Sequence, residues 1–208
     1  MIYDLRTYTL RPGSVPEFER RFGEGLEHRQ KFSRLGGFWH TEIGPLNQVV
    51  HIWPYDNLAH VESVRKDMAT NPDPAWPPKG DDVILTMESA LLTSVPWMRE
   101  WTSPQEYGGF YELRIYTFIP GVLPEVIKRW EQAVPAREKY SPLGGLWTEA
   151  TGGNKLYHLW PYKSMEERTA VRAESVAKGD WPPKPASSEW MLQQENKILV
   201  PASFSPMH

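Results

Sequence analysis

The chain has 208 residues, with 23 basic and 26 acidic side chains and a formal charge of −3. This balance gives no electropositive surface of the kind that binds nucleic acid or an anionic membrane, and the absence of cysteine excludes disulfides, thiolate metal sites and a cysteine nucleophile. Because no apolar run approaches the ~20 residues that cross a bilayer, we expect a soluble, cytoplasmic protein.

The chain contains its most distinctive segment twice. Residues 47–55 read NQVVHIWPY and residues 154–162 read NKLYHLWPY. In both copies, β-branched and aromatic side chains alternate with the period of two that separates the faces of a sheet, so each copy predicts a strand. The duplication predicts two domains, 1–101 and 110–208, joined by a polar, glycine-containing linker at 102–109.

Each half predicts the same elements in chain order. An opening strand has one mostly apolar side and one side that carries an acid, an arginine and a tyrosine. An amphipathic helix, a hairpin of two strands, a second helix and a closing strand follow. The fold class is therefore predicted as α+β, with the β-α-β-β-α-β order of a ferredoxin-like unit in each half. The opening strands are 2–10 and 111–118, and the closing strands are 83–93 and 191–200.

A ferredoxin-like sheet is covered by helices on one face only. An apolar second face is unfavourable in water, at ~25 cal/mol per Å² of exposed area, and needs a partner. The twin half supplies one. The sequence thus predicts an intrachain pseudo-dimer whose two sheets pair into one pseudo-symmetric barrel, and edges left exposed would allow further homo-oligomers.

Three segments resemble the NIPSNAP family: residues 2–13, IYDLRTYTLRPG; residues 44–53, GPLNQVVHIW; and residues 198–206, ILVPASFSP. The likeness covers two tandem domains, and the second departs from the hairpin pattern at 151–153. The family is similar to the dimeric α+β barrel superfamily, which implies that two ferredoxin-like sheets face each other. That superfamily includes cofactor-free monooxygenases, isomerases and haem-handling enzymes. NIPSNAP proteins have no firmly assigned reaction, so the resemblance implies an undefined molecular activity.

The repeated strands carry a candidate ligand site. If Val50 and Ile52 face the helices, the alternating residues of the first and third strands share the barrel interior. An interior rich in tryptophan, tyrosine, histidine and arginine suits a small, flat, aromatic or partly anionic molecule, bound without a cofactor. The predicted lining residues are Arg6, Tyr8, His51 and Trp53, their counterparts Arg114, Tyr116, His158 and Trp160, and Trp39 and Glu42 from the hairpin.

Two functional interpretations follow from this site. In an enzyme, we expect proton transfer or cofactor-free oxidation, of isomerase or monooxygenase type, with a histidine as base and an arginine holding an anionic group. Replacing His51 by alanine is then expected to abolish ligand binding and leave the melting temperature nearly unchanged. The alternative is a non-catalytic interaction module whose outer helices or proline loops contact a protein partner. The catalytic candidates are His51, His158, Arg6 and Arg114.

Two other interpretations of these residues stay open. A buried histidine or tyrosine with a hydrogen-bonded neighbour is often only part of the core, and Arg6 could simply pair with Asp4. A metal set of His40, Glu42 and His51 has suitable ligand types, since a two-residue hairpin turn would place His40 opposite His51. The second copy has no second histidine at this hairpin.

Overall fold

The computed structural model describes residues 1–101, 104–184 and 188–208, and it confirms the predicted α+β class and the repeated β-α-β-β-α-β order. The first repeat consists of β1 (Ile2–Leu10), α1 (Val15–Gln30), β2 (Gly37–Ile43), β3 (Gln48–Tyr55), α2 (Leu58–Thr70) and β4 (Ile84–Ser94). The second consists of β5 (Phe110–Phe118), α3 (Leu123–Arg137), β6 (Gly145–Glu149), β7 (Lys155–Tyr162), α4 (Met165–Ala177) and β8 (Met191–Pro201).

The strands form one closed barrel in the order β1-β3-β2-β8-β5-β7-β6-β4. Within each repeat the first strand lies between the third and the fourth, as in a ferredoxin-like sheet. The two sheets join because β2 pairs with β8 and β4 pairs with β6, both antiparallel. Closure leaves no unpaired edge among the described strands, and it confirms the predicted pseudo-symmetric barrel.

The barrel lumen is filled by the apolar sides of both sheets. Tyr3 and Leu5 of β1 and Val50 and Ile52 of β3 pack there against their counterparts from the second repeat, Tyr111, Leu113, Tyr157 and Leu159. These side chains are buried, and none has to face water, because each sheet covers the other. The predicted burial of one sheet face against the other is therefore confirmed.

Trp39 and Trp147 also lie in the lumen, and each is 1% exposed. Their facing is the same because the two hairpins share one register up to this point: Phe38 lies opposite His51, and Leu146 lies opposite His158. The length difference between the copies falls further along β2, which has 7 residues against the 5 of β6.

The predicted facing of the third strand is wrong. Val50 and Ile52 point into the lumen, so their neighbours His51 and Trp53 lie on the other face of the sheet, beneath the helices. The more apolar face of the first sheet packs against the equally apolar face of the second sheet. Its polar face forms hydrogen bonds with side chains of α1 and α2. The predicted site residues of the first and third strands thus lie between sheet and helices, and not in the barrel interior.

The first repeat passes into the second through residues 95–109. The indole Nε1 of Trp101 donates a 2.7 Å hydrogen bond to the backbone oxygen of Gly144, and Gln105 forms an isolated bridge with Met207. The predicted linker at 102–109 includes Thr102 and Ser103, which lie outside the described residues. No helix in the described ranges is long and apolar enough to cross a membrane.

Candidate functional site

A cavity of about 600 Å³ lies between the sheet and the helices of the first repeat. Arg6 on β1 lies directly opposite His51 on β3, because the antiparallel register pairs these two positions. The helices and the loop at 76–81 cover this face of the sheet. The lining includes Asp4, Arg6, Tyr8, His51, Trp53 and Tyr55 from the sheet, Phe18, Phe22, Arg29, Arg65 and Met68 from the helices, and Trp76 from the loop.

His51 is held by its neighbour on the same face of β3. The indole Nε1 of Trp53 donates a 2.7 Å hydrogen bond to Nδ1 of His51. Since an indole can only donate, Nδ1 accepts and the ring proton of the neutral imidazole is on Nε2. That Nε2 is buried and has no hydrogen-bond partner among the described residues. His51 therefore has an N–H donor, at Nε2, without an acceptor among the described residues.

Burial, with smaller contributions from the charges of Arg6 and Arg29, holds the pKa of His51 well below its ordinary value. The side chain is 2% exposed and stays neutral at physiological pH. Its one free nitrogen lone pair is used by the Trp53 indole. This geometry does not support the expected role of His51 as a base, and it supports hydrogen-bond donation to a ligand oxygen instead.

Arg6 does not form the pair with Asp4 that the sequence suggested. Asp4 accepts hydrogen bonds from Arg65 at 3.3 Å and from the Ser89 hydroxyl at 2.5 Å. The Arg6 guanidinium lies over the ring of Tyr8, 5.4 Å from the centroid, and its buried Nε has no hydrogen-bond partner in the described part of the chain. The cavity thus contains a guanidinium that is not neutralised by a carboxylate.

Arg29 is a site residue that sequence reasoning missed. It is 5% exposed, its guanidinium lies 4.1 Å over the Trp53 ring, and it donates to the Tyr55 hydroxyl at 2.9 Å. Burial is the main cause that lowers its pKa. The signal was available, because Arg29 continues the buried stripe of α1 that includes Phe18 and Phe22. With Arg6 and Arg65 it gives the cavity three guanidinium groups against the two carboxylates of Asp4 and Asp81.

The second repeat has the same arginine, tyrosine, histidine and tryptophan on its first and third strands, but in a closed arrangement. Trp160 donates to Nδ1 of His158 at 2.8 Å, as in the first repeat. Glu112, which is 0% exposed, forms ion pairs with Arg114 at 3.2 Å, Arg168 at 2.5 Å and Arg172 at 3.4 Å. Arg114 is therefore paired with a carboxylate that it shares with two other arginines, whereas Arg6 forms no ion pair among the described residues.

The cavity beside His158 has only about 90 Å³. Trp130 occupies the position of Phe22, and its ring centroid lies 4.7 Å from that of His158. Tyr116 and Trp181 separate this space from a more apolar cavity of about 480 Å³ under the closing strand. The second repeat therefore lacks the continuous charged and aromatic cavity of the first.

The remaining predicted residues do not join the site. His40 lies opposite Val49, not His51, and its Nδ1 is 2.8 Å from a Glu19 carboxylate oxygen, which raises the pKa of His40. Glu42 is exposed beyond this point of β2, and Trp39 is in the lumen. Among the described residues no cluster of three histidine or acidic side chains could hold a metal ion, so the proposed metal set is not formed.

The comparison with known proteins identifies both repeats. The NIPSNAP family profile matches residues 3–99 and 111–206, which is nearly the whole chain. The chain belongs to the NIPSNAP family. Human NipSnap homolog 3A is 33% identical over 220 residues, covering 100% of this NIPSNAP chain and 86% of the human protein. Mouse NipSnap homolog 3B is 34% identical over 218 residues, covering 99% and 85%.

The whole two-repeat NIPSNAP barrel also has a counterpart among solved structures. A protein of Fusobacterium nucleatum, provisionally described as a monooxygenase, superimposes with a TM-score of 0.62 over 97% of this chain and 92% of that chain. The two are 8% identical. At this identity the likeness shows a shared fold, and it assigns no reaction to this NIPSNAP chain.

We expect the stability of this NIPSNAP chain to fall as the pH is lowered from 6.5 to 5.5. The pKa of His51 and that of His158 are both held well below 6.5 by burial. An unfolded histidine takes up a proton near pH 6.5, so the unfolded state binds more protons than the folded state below that value. Each histidine then removes up to about 1.4 kcal/mol of unfolding free energy per pH unit, measurable by urea denaturation.

His40 does not contribute to this loss. The hydrogen bond to Glu19 raises its pKa, so its stabilisation is complete below pH 6.5 and is lost only as the pH rises above it.

The variant His51→Phe should reduce the slope of the unfolding free energy against pH between pH 6.5 and 5.5. A slope that is unchanged in this variant, or an NMR titration of His51 with a midpoint near 6.5, would contradict the assignment.

Proposed function

We propose that this NIPSNAP chain binds a small, flat organic anion in the cavity of the first repeat. The observation that carries the proposal is that Arg6 and His51, which lie opposite each other and whose Nε and Nε2 are buried without partners among the described residues, line a cavity of about 600 Å³. Their counterparts Arg114 and His158 have the same unpartnered atoms, but the cavity beside them has only about 90 Å³. Buried donors without partners are unfavourable, by about 1–3 kcal/mol each, unless a ligand or water accepts from them. Hydrogen-bond acceptors of a bound ligand would satisfy these donors.

The charge and the walls of the cavity define the ligand class. Arg6, Arg29 and Arg65 outnumber the two carboxylates of the lining, Asp4 and Asp81, which favours a carboxylate, a phenolate or an enolate over a neutral or cationic molecule. Six aromatic side chains line the same space, and these suit a flat ring system: Tyr8, Phe18, Phe22, Trp53, Tyr55 and Trp76. A volume of about 600 Å³ is in the range of small-molecule sites.

The same two donors define the chemistry that the cavity could support. Fixed hydrogen-bond donors in a site that excludes water stabilise negative charge that develops on a carbonyl or phenol oxygen. Proton transfer next to a carbonyl and cofactor-free oxidation both form such an oxyanion. The carboxylate of Asp4 already accepts hydrogen bonds from Arg65 and Ser89, so it is poorly placed to act as a base. We therefore propose that the cavity binds a ligand, and that a reaction in this cavity would depend on stabilisation of an oxyanion.

The variant Arg6→Met should weaken the binding of 2-naphthoate by about tenfold or more, measured by isothermal titration calorimetry. The reason is that a hydrogen bond to a charged group contributes about 1.5–3 kcal/mol when it forms in a desolvated site. The twin variant Arg114→Met is the matched control. Because Arg114 is already paired with Glu112, its loss should leave naphthoate affinity unchanged.

The neutral molecule 2-naphthylmethanol separates charge from shape, and it should bind wild type more weakly than naphthoate does. Equal losses of naphthoate affinity in the two arginine variants would contradict a site in the first repeat. Failure of wild type to bind any aromatic carboxylate would overturn the proposal. If wild type binds no aromatic carboxylate and instead binds a protein partner that requires the loop at 76–79, the result would favour the interaction module.

A further inference from the structure

A second cavity, of about 520 Å³, lies inside one end of the barrel. It is on the opposite side of β1 from the ligand cavity, because Leu5 and Thr7 line it whereas Arg6 between them does not. Leu5, Ala90 and Ile115 form its apolar floor where the packed lumen ends. The lining also includes Ser89, one tyrosine and five charged side chains: Tyr157, Glu88, Glu149, Glu195, Lys155 and Lys197.

Lys197 has an unusual position for a lysine. It lies on the lumen side of β8, two residues before the fully buried Leu199 and opposite Leu113 of β5. Its Nζ donates a 2.8 Å hydrogen bond to the amide oxygen of Gln48, a neutral group. Among the described residues it forms no ion pair, although three glutamates line the same cavity.

Burial lowers the pKa of Lys197 in spite of the opposing charges of Glu195 and Glu88. A desolvated lysine with a neutral partner exposes more of the free amine, which is the nucleophilic form. Lys197 also has no counterpart in the first repeat, where Ala90 occupies the equivalent position opposite Leu5. Packing of the duplicated barrel therefore does not require a lysine at this point.

We propose that Lys197 is a nucleophile that captures a small aldehyde as an imine inside the barrel. The three glutamates outnumber the two lysines of the cavity, which favours an uncharged carbonyl compound over an anionic one. The floor of Leu5, Ala90 and Ile115 favours a short aliphatic chain on it.

The reaction balances without an oxidant or a cofactor. The ammonium group first loses a proton to water, and the free amine attacks the carbonyl carbon to form a carbinolamine as a proton moves from nitrogen to oxygen. The hydroxyl group then takes a proton back from water and leaves as water while the C=N bond forms, which gives a protonated imine. One aldehyde is consumed and one water is released, and hydrolysis reverses the step.

The test is reductive trapping with propanal. The full chain is incubated with a limiting amount of propanal and sodium cyanoborohydride, digested, and mapped by mass spectrometry. Lys197 should be alkylated ahead of the other lysines, including the exposed Lys31 and Lys178. Lys197→Arg should abolish this first adduct, whereas Lys155→Arg, in the same cavity, should retain it.

The variant Gln48→Glu tests the electrostatic reason while it keeps the lysine. A carboxylate next to Nζ favours the ammonium form, so alkylation of Lys197 should fall in this variant. Arg6→Met should leave the labelling unchanged, because Arg6 lies on the other side of β1. Labelling of Lys197 no faster than that of Lys31 overturns the proposal, as does undiminished labelling in Gln48→Glu with an unchanged melting temperature.

Discussion

Replacement of Glu112 by glutamine should lower the free energy of unfolding by about 3 kcal/mol, measured by urea denaturation. The change keeps the shape of the side chain and removes the one negative charge that three guanidinium groups share. Removing one partner of a buried ion pair leaves the others desolvated and uncompensated, at a cost of about 3–5 kcal/mol. We expect the lower end, because Arg172 is partly exposed and can turn toward solvent.

The counterpart Asp4→Asn is the matched control, and it should cost only about 1 kcal/mol. Asp4 is also buried, but among the described residues its one ion pair is with Arg65, whose side chain is 55% exposed. Arg65 can therefore regain hydration when the charge of Asp4 is lost. A loss in Glu112→Gln that is equal to or smaller than the loss in Asp4→Asn would show that the Glu112 network is not the stabilising centre of the second repeat.

Replacement of His51 by alanine should also lower the free energy of unfolding by about 3 kcal/mol. Truncation leaves the buried Trp53 indole N–H without its acceptor, at about 1–3 kcal/mol, and opens a hole among the rings of Tyr8, Phe22 and Phe38. This replaces the expectation from sequence that the melting temperature would hardly change. Urea denaturation of the variant at pH 7 measures the loss.

Two other histidine variants serve as comparisons for His51→Ala. His158→Ala should lose a similar amount, because the Trp160 indole bonds to His158 in the same way. His60→Ala, at the surface of α2, should change stability by less than about 1 kcal/mol. If His51→Ala behaves like His60→Ala, the histidine and tryptophan pair does not contribute to the core as described.

The architecture could be predicted because its signals are local and occur twice. The alternation in 47–55 and 154–162 identifies strands, and the repeat identifies the partner that each bare sheet face needs. The choice of face could not be made by this reasoning, since β1 carries a tyrosine on each face and both faces of β3 carry large apolar residues. The deciding signal was on the helices, where Arg29 and Arg137 lie among the buried residues of α1 and α3.

The sequence shows where the two repeats differ, but it does not show what these differences do in the structure. Arg168 stands where the first repeat has Val61, and Trp130 stands where it has Phe22. Only the geometry shows that the added arginine bonds Glu112 and that the larger ring packs on His158. The metal hypothesis failed for a related reason, because the strand register, which sets whether His40 faces His51, depends on the turn and is not given by residue type.

Resolved indole N–H signals, recorded by NMR during titration with 2-naphthoate, test the central claim most directly. The tryptophans report each compartment separately: Trp53 and Trp76 line the ligand cavity, and Trp39 and Trp147 lie in the lumen. We predict that the signals of Trp53 and Trp76 shift with the ligand and that the lumen signals do not. Shifts confined to Trp39 and Trp147, or to Trp160 of the second repeat, would contradict a ligand site between the first sheet and its helices.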